Sequence, residues 1–389
     1  MNYKCENGIL TICLEGRVDS TNAEKVSAEI DAIEGLGTMP LVIDAEALEY
    51  ISSAGLRMIL KLRKQNPDMK ITGVSSDVYD IFEMTGFTEM ITVEKGYRHF
   101  SVDGCQVIGT GAKGTVYRYN EDTIVKVYKK SDCLPIIKNE RELARKAFVL
   151  GIPTAISYDI VKVGDKFGSV FELLDASSYS TLIKNDPDNF DKYVSDTAEL
   201  LRKIHGTEVS EDDMPDIKET VRSWIKADEP YLDASETEKL YALVEAVPDT
   251  MNMLHCDYHT NNIMYQNGEA LLIDMDTLSH GHPIFELANI YITYVGFGEA
   301  DPTFVENFIG LPYETTKKIW EKFLPLYLET EDDAVISDVE SKAKLLSYVR
   351  YLRHTVRRGG ADTESGREII AICQKNIKEL LKKTEKLGF

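Results

Sequence analysis

Between residues 255 and 274 the chain reads His255-Cys256-Asp257-Tyr258-His259-Thr260-Asn261-Asn262-Ile263-Met264 and then, past Asn267-Gly268, Leu271-Leu272-Ile273-Asp274. Asn-Gly between two apolar runs is a strong hairpin signal, because a tight two-residue turn needs positive φ at both central positions. Folding the chain about that turn sets Asn262 opposite Ile273 and next to Asp274. An amide oxygen and a carboxylate then meet at the open end of the hairpin. That donor pair is what magnesium (Mg2+) takes when phosphates and waters complete its octahedron. Asp257, on the preceding loop, is placed where a carboxylate can take the proton of an acceptor hydroxyl. His255, Cys256, His259, His280 and His282 invite a transition-metal reading. A His-x-x-x-His pair with no third ligand falls short of what zinc requires. His255 reads instead as a residue that holds the loop by hydrogen bonds.

A second constraint lies upstream. Gly109-Thr110-Gly111-Ala112-Lys113-Gly114 separates two apolar strand patterns, and glycines allow backbone amides to approach phosphates. The strand-loop-strand setting is that of neither a Rossmann fingerprint nor a Walker loop, and a plain glycine-rich hairpin is the alternative. Downstream, Ile124-Val125-Lys126-Val127-Tyr128 is a β-branched run broken by one lysine, and a buried charge needs a partner. In the next helical stretch Ile137, Glu140, Leu143, Ala144 and Ala147 share one stripe, which points Glu140 inward as that partner. The pair can orient an ammonium towards phosphates, as in kinases, or be a structural salt bridge.

The rest of the chain sets these segments in order. Residues 9–14, 40–44 and 70–74 read as strands, alternating with helices near 22–33, 55–64 and 78–84, a compact βα series. Glu94-Lys95-Gly96-Tyr97 is the expected boundary, giving domains of 1–97 and 98–389. Strands near 102, 156–163 and 169–173 and a helix over 134–150 then form a small β-rich lobe, about 98–175. From there helical periodicity dominates a larger lobe, about 176–389. The last helix is expected to open with a Ser365-x-x-Glu368 capping box and to bury Ile369, Ile372, Cys373, Ile377, Leu380 and Leu381. Its closing lysines suit either an anionic partner or the negative end of a helix dipole.

A net charge of -21 argues against nucleic-acid and membrane-surface partners, and acidic stretches such as Glu211-Asp212-Asp213 hint at a cationic ligand. The six cysteines are scattered and read as reduced thiols. With no signal-peptide pattern and no long apolar run, a cytoplasmic location is expected.

The stretches Gly109 to Gly114, Lys126, Glu140, His255-x-Asp257-x-His259-x-x-Asn262 and Ile273-Asp274 together resemble the aminoglycoside phosphotransferase and choline kinase superfamily. The resemblance implies a bilobal protein-kinase-like fold and an ATP- and Mg2+-dependent transfer to a hydroxyl. It makes Asp257 the base, Asn262 and Asp274 the magnesium ligands, and Lys126, with Glu140, the holder of the α- and β-phosphates. Gly109, Gly111 and Gly114 would cover the phosphates. Phe171-Glu172-Leu173-Leu174 would be the adenine hinge, with Glu172 and Leu174 facing the base. His259 stands where protein kinases usually carry lysine, and Asp274-Met275-Asp276 lacks the Asp-Phe-Gly glycine. The segment His282-Pro283-Ile284-Phe285-Glu286-Leu287-Ala288 is also similar to the small-molecule enzymes.

Leu41-Val42-Ile43-Asp44 and Tyr50-Ile51-Ser52-Ser53-Ala54-Gly55-Leu56-Arg57 resemble a STAS domain, the fold of bacterial anti-sigma-factor antagonists. In that family the residue before the glycine is a phosphoacceptor serine; here it is Ala54, and Ser52 and Ser53 read as helix caps. The expectation is a mixed α/β and α+β chain: a STAS module for regulation or for docking a protein partner, then a kinase for a small hydroxylated molecule. The alternatives are a protein serine/threonine kinase in a partner-switching circuit and a non-catalytic nucleotide sensor.

Overall fold

The structure, a computed structural model, describes residues 2–111 and 113–389, and it divides into two compact units: residues 1–104 with 160–168, and residues 105–159 with 169–389. Ala112 of the glycine loop lies outside the described residues.

In the first unit the apolar alternation does what a half-buried strand should. Strands Asn2–Glu6, Ile9–Cys13, Leu41–Asp44, Lys70–Val74 and Thr92–Lys95 form one sheet in that order; the first pair is antiparallel and the rest are parallel. Gly16–Val18 and Leu48–Ile51 form a separate short parallel pair. Parallel neighbours require crossovers, supplied by helices Ala23–Asp31, Ser53–Gln65 and Ser76–Met84. Leu10, Ile12, Ile43, Ile59, Ile71 and Phe82 are fully buried between the layers. Ser52 caps its helix by accepting from the Ala54 N–H at 3.2 Å.

The second unit begins with an antiparallel meander, Gln106–Thr110, Gly114–Arg118 and Thr123–Tyr128, and the hairpin strand Lys166–Glu172 adds to the Thr123–Tyr128 side. Helix Leu134–Val149 buries Ile137, Glu140, Leu143, Ala144 and Ala147, the stripe expected from spacing. Beyond residue 178 the unit is chiefly helical. Helices Phe190–His205, Ile217–Asp228, Ile284–Tyr291, Tyr313–Leu328, Asp333–Arg357 and Glu364–Leu381 share one continuous apolar core. Helix Ile284–Tyr291 runs into a π-helical turn, Ile292–Gly296.

The last helix differs from expectation at its start. Thr363, in extended backbone, is the N-cap and its hydroxyl accepts from the Gly366 N–H at 3.1 Å, so Ser365 already lies in the first turn and no Ser365-Glu368 box forms. Ile370 is buried in place of Ile369, together with Cys373, Ile377 and Leu381, while Ile372 and Leu380 are half-buried. Lys378 pairs with Asp233 at 3.3 Å and Glu236 at 3.7 Å, a structural use for one of the closing lysines.

Asp228 ends its helix with no exposed surface and no hydrogen-bond partner on either carboxylate oxygen. Burial pushes its pKa up to about 8, with Arg353 pulling the other way; Cys373 is the other titratable group that feels its charge. Between the ordinary carboxylate value and that raised one, the folded chain keeps a proton that the unfolded chain has lost. Stability should therefore fall as pH rises through roughly pH 4 to pH 8, at a slope approaching about 1.4 kcal/mol per pH unit. Urea denaturation across this range should show the decline in the native chain and a flatter profile in Asp228→Asn.

Candidate active site

The loop that carries Asp257 leaves the short strand Met253–Leu254, which pairs with Ser279–His280. It turns at once through Cys256, whose φ of 64° is left-handed and costly for a residue with a side chain. The turn is held from below. Glu286, in the first turn of helix Ile284–Tyr291 and wholly buried, accepts from the His255 and Cys256 N–H groups, each at 2.8 Å. Its Oε2 also takes His205 Nε2 at 2.8 Å. Asn289 donates to the Cys256 carbonyl at 3.2 Å and Thr277 to the His255 carbonyl at 2.7 Å. Further along, Tyr258 donates to the Thr197 carbonyl at 2.5 Å, and the Thr260 N–H donates to the hydroxyl of Tyr294 at 3.0 Å, within the π-helical turn.

With both flanks fixed inward, Asp257 keeps 29% of its side chain exposed while His255, Cys256, Tyr258, His259 and Thr260 are buried. The amide nitrogen of Asn262 donates to the Asp257 carbonyl at 3.0 Å and to its carboxylate at 3.3 Å, which turns the amide oxygen away from Asp257. His259 Nε2 stands 3.8 Å from the same carboxylate, and burial holds the imidazole pKa below its ordinary value, although Asp257 raises it.

The hairpin forms about Asn267-Gly268, with φ of 52° and 90°. Strands Ile263–Gln266 and Glu269–Leu272 pair in the register Ile263 to Leu272, and the Ile273 N–H donates to the Asn262 carbonyl at 3.0 Å. Asp274 follows in left-handed backbone, φ 63°. Its carboxylate lies with those of Glu140 and Asp276, oxygens within 4.8 Å of one another. Lys126 binds both Glu140, at 2.9 Å, and Asp274, at 2.8 Å, and Lys113 of the glycine loop binds Asp276.

Burial alone would lower the pKa of Lys126, but Asp274 and Glu140 outweigh it and the pKa is raised. Asp274 shows the reverse: burial pushes up, Lys126 and Lys113 prevail, and its pKa is lowered. Lys113 feels Asp274, Asp276 and Asp257, which joins the loop aspartate to the acidic cluster in one electrostatic site.

Glu140 is taken up on its far side by Tyr128, whose hydroxyl donates at 2.8 Å and meets Ser169 at 3.1 Å. The carboxylates left to a ligand are those of Asp274 and Asp276, the latter with one buried oxygen that has no partner. These two carboxylates offer oxygen donors of the kind that hard divalent cations take.

Residues 104–316 match the phosphotransferase enzyme family. The chain belongs to that family. Residues 1–100 match the STAS domain. Over 91 residues this part is 37% identical to BtrV of Bordetella bronchiseptica, assigned as an anti-sigma factor antagonist, covering 22% of this chain and 78% of BtrV. It is 25% identical over 89 residues to the anti-sigma-B factor antagonist of Listeria monocytogenes, covering 22% of this chain and 78% of that one. Among solved structures, a thermostable mutant of aminoglycoside phosphotransferase APH(4)-Ia, in ternary complex with AMP-PNP and hygromycin B, superposes with a TM-score of 0.50 at 14% identity, covering 72% of this chain and 94% of that one. At that identity the likeness is one of fold. The protein is thus a STAS domain followed by a kinase-like phosphotransferase acting on hydroxyl groups.

The candidate site gathers more than spacing assigns. Asp276, Lys113, Tyr128 and Ser169 all touch it. Lys113 lies in the glycine loop, Asp276 two residues beyond Asp274 and Tyr128 on the face of Lys126, whereas Ser169 carries no sequence signal. Gly114 has a packing constraint as well: a Cβ there would lie 2.5 Å from the Val127 carbonyl oxygen. Gly109 and Gly111 have room for a side chain, which leaves them free for loop chemistry. Glu172 closes its strand exposed, and Leu174 is half-buried just beyond. Among the described residues no hydrogen bond or ion pair joins either to Lys126 or Asp274. In the acidic stretch near 211, Asp213 is paired to Lys146 at 2.9 Å.

Removing Glu286 leaves two buried N–H groups unpaired beneath a left-handed turn. Glu286→Ala should cost about 3–5 kcal/mol of unfolding free energy in denaturant melts. Glu286→Gln, which keeps an acceptor oxygen, should cost clearly less.

Proposed function

We propose that residues 98–389 transfer the γ-phosphoryl group of ATP to a hydroxyl of a small molecule, with Asp257 as the general base. The observation that carries this reading is the placement of Asp257. It is the exposed carboxylate of an otherwise buried loop, held by Asn262 and electrostatically joined to Lys113, Asp274 and Asp276.

In the reaction, the acceptor oxygen forms a bond to the γ-phosphorus as the bond to the leaving nucleotide oxygen breaks. The hydroxyl proton passes to the carboxylate of Asp257. Lys126 turns its ammonium from Asp274 towards phosphate oxygens while Glu140, fixed by Tyr128, keeps its stem aligned. Lys113 brings a second ammonium from the glycine loop. Asn262, Asp274 and Asp276 are the residues that would hold magnesium, which supplies neutralisation of phosphate charge when bound. His259, held below its usual pKa by burial, leaves the base without a competing cation beside it.

The STAS domain carries Ala54 before its glycine, so its proposed role is docking a protein partner without phosphorylation at that position. Its likeness to anti-sigma factor antagonists favours a second reading, in which the acceptor hydroxyl belongs to a protein.

Magnesium-dependent ATP turnover, screened over hydroxylated compounds and over added protein, separates the two by where the phosphate appears. Asp257→Ala should lower kcat by about two to four orders of magnitude while nucleotide affinity stays near that of the native chain. Unchanged turnover in that variant would remove Asp257 as the base.

A further inference from the structure

We propose that the phosphate acceptor is an anion, a hydroxylated small molecule whose carboxylate or phosphate group is held by Arg350, Arg353 and Arg357. The proposal names the substrate class of the site described above and rests on that reading.

The three arginines lie in the last turns of helix Asp333–Arg357, spaced by three and four residues so that they share one face, with His354 among them. Arg358 follows at the cap. Among the described residues none of these four guanidinium groups makes a hydrogen bond or an ion pair. Other cations of the same unit do: Arg202 reaches Glu329, Arg222 reaches Glu245, and Lys344 reaches Glu299. The unit's other arginines, Arg118, Arg141, Arg145, Arg202, Arg222 and Arg367, each donate a side-chain hydrogen bond, so four unpaired guanidinium groups on one helix end are the exception among its arginines.

Like charges at this spacing destabilise a helix, so grouping them without a counter-charge costs stability. A helix C-terminus favours cations, which accounts for Arg357 and Arg358, but that effect fades beyond the last turn. Arg350 lies further in. It is half-buried, with its guanidinium 5.7 Å from the centre of the Trp224 ring.

Nearby groups do not neutralise the cluster. Asp228, the carboxylate whose charge Arg353 feels, is kept largely protonated at neutral pH by its burial. His354 is pushed down to about 4 by burial and by the four arginines, so it adds a neutral ring.

The arginine face also adjoins the reacting residues. The charge of Arg350 acts on Asp257, Cys256 and Glu286. A run of rings links the two places: His259 to Phe308 at 5.0 Å, Phe308 to Phe304 at 6.2 Å, Phe304 to Phe297 at 5.0 Å, and Phe297 to His354 at 5.5 Å. A carboxylate that can take a hydroxyl proton at one end of these rings and unpaired guanidinium forks at the other suit a ligand with a hydroxyl and an anionic group. Guanidinium binds carboxylate and phosphate oxygens two at a time. A polycationic acceptor would meet repulsion there.

The test uses the full chain and four probes: gluconate, a hexose monophosphate, glycerol and kanamycin. Two readouts are taken, turnover with magnesium and ATP, and direct binding by calorimetry. The expected result is turnover of one or both anions in preference to glycerol and kanamycin; gluconate against the monophosphate distinguishes carboxylate from phosphate. Arg353→Gln and Arg357→Gln should raise KM for the anion by about ten- to hundredfold, with a smaller change in kcat. Arg350→Lys, which keeps charge but loses the fork, should recover part of what Arg350→Gln loses. Should Arg350→Gln fail to fold for want of its Trp224 contact, the two outer variants still decide.

Preference for glycerol or kanamycin, a KM for the anion that ignores all three arginines, or label found only on added protein would overturn the proposal. Anions that bind through the arginines yet are never phosphorylated would overturn it as an assignment of the acceptor. If no other probe turned over either, that same result would count against Asp257 as the base.

Discussion

The buried carboxylate of Glu286 is the interaction on which the rest of the site depends. A charge with no exposed surface is expensive unless several donors meet it, and here two backbone N–H groups and one imidazole N–H do so, all at 2.8 Å. Its place in the first turn of helix Ile284–Tyr291 adds the favourable end of the helix dipole. In return it fixes His255 and Cys256, and Cys256 can then hold a left-handed φ that an isolated loop would abandon. Asp257 projects outward because its predecessors are tied inward.

The same economy of pairing governs the acidic cluster. Three carboxylates, those of Glu140, Asp274 and Asp276, face two ammoniums, those of Lys126 and Lys113, which leaves one negative charge in a partly buried place. Lys126 bridges Glu140 of helix Leu134–Val149 and Asp274 after the hairpin, while Lys113 binds Asp276. Phosphate oxygens would compete for these ammoniums, and a cation for the carboxylates they release. In the proposed reading the protein's internal ion pairs thus stand in for the ligand's charges, and little reorganisation is needed when the two exchange.

Local chemistry made much of this legible. The Asn267-Gly268 turn is demanded by sterics alone, and once it is placed the register of Asn262 against Ile273 follows. The Lys126 to Glu140 pair could be read because strand alternation and helical periodicity each pointed one charge inward. Glu286 could not be read in the same way. It acts on residues some thirty positions earlier through backbone groups, which no side-chain pattern records. The packing constraint on Gly114 is hidden for a related reason: its Cβ is excluded by the Val127 carbonyl of the neighbouring strand, a contact that exists only after pairing. The capping error at Ser365 was smaller in kind, since Thr363 two residues earlier satisfies the same rule.

Net charge proved the least informative quantity. A total of -21 describes the solvated envelope, and the stretch around Asp213 that hinted at a cationic ligand turns out to be tied to Lys146. What bears on recognition is the charge left over after internal pairing. By that measure the acids near Asp274 are largely compensated by Lys126 and Lys113, whereas the arginines of the long helix are not. After internal pairing, the long helix keeps unpaired positive charge at its end, while Lys126 and Lys113 are taken up by Glu140, Asp274 and Asp276. The sign of the whole chain therefore does not fix the sign of a local patch, because the total is set by the solvated envelope and the patch by which charges are left unpaired.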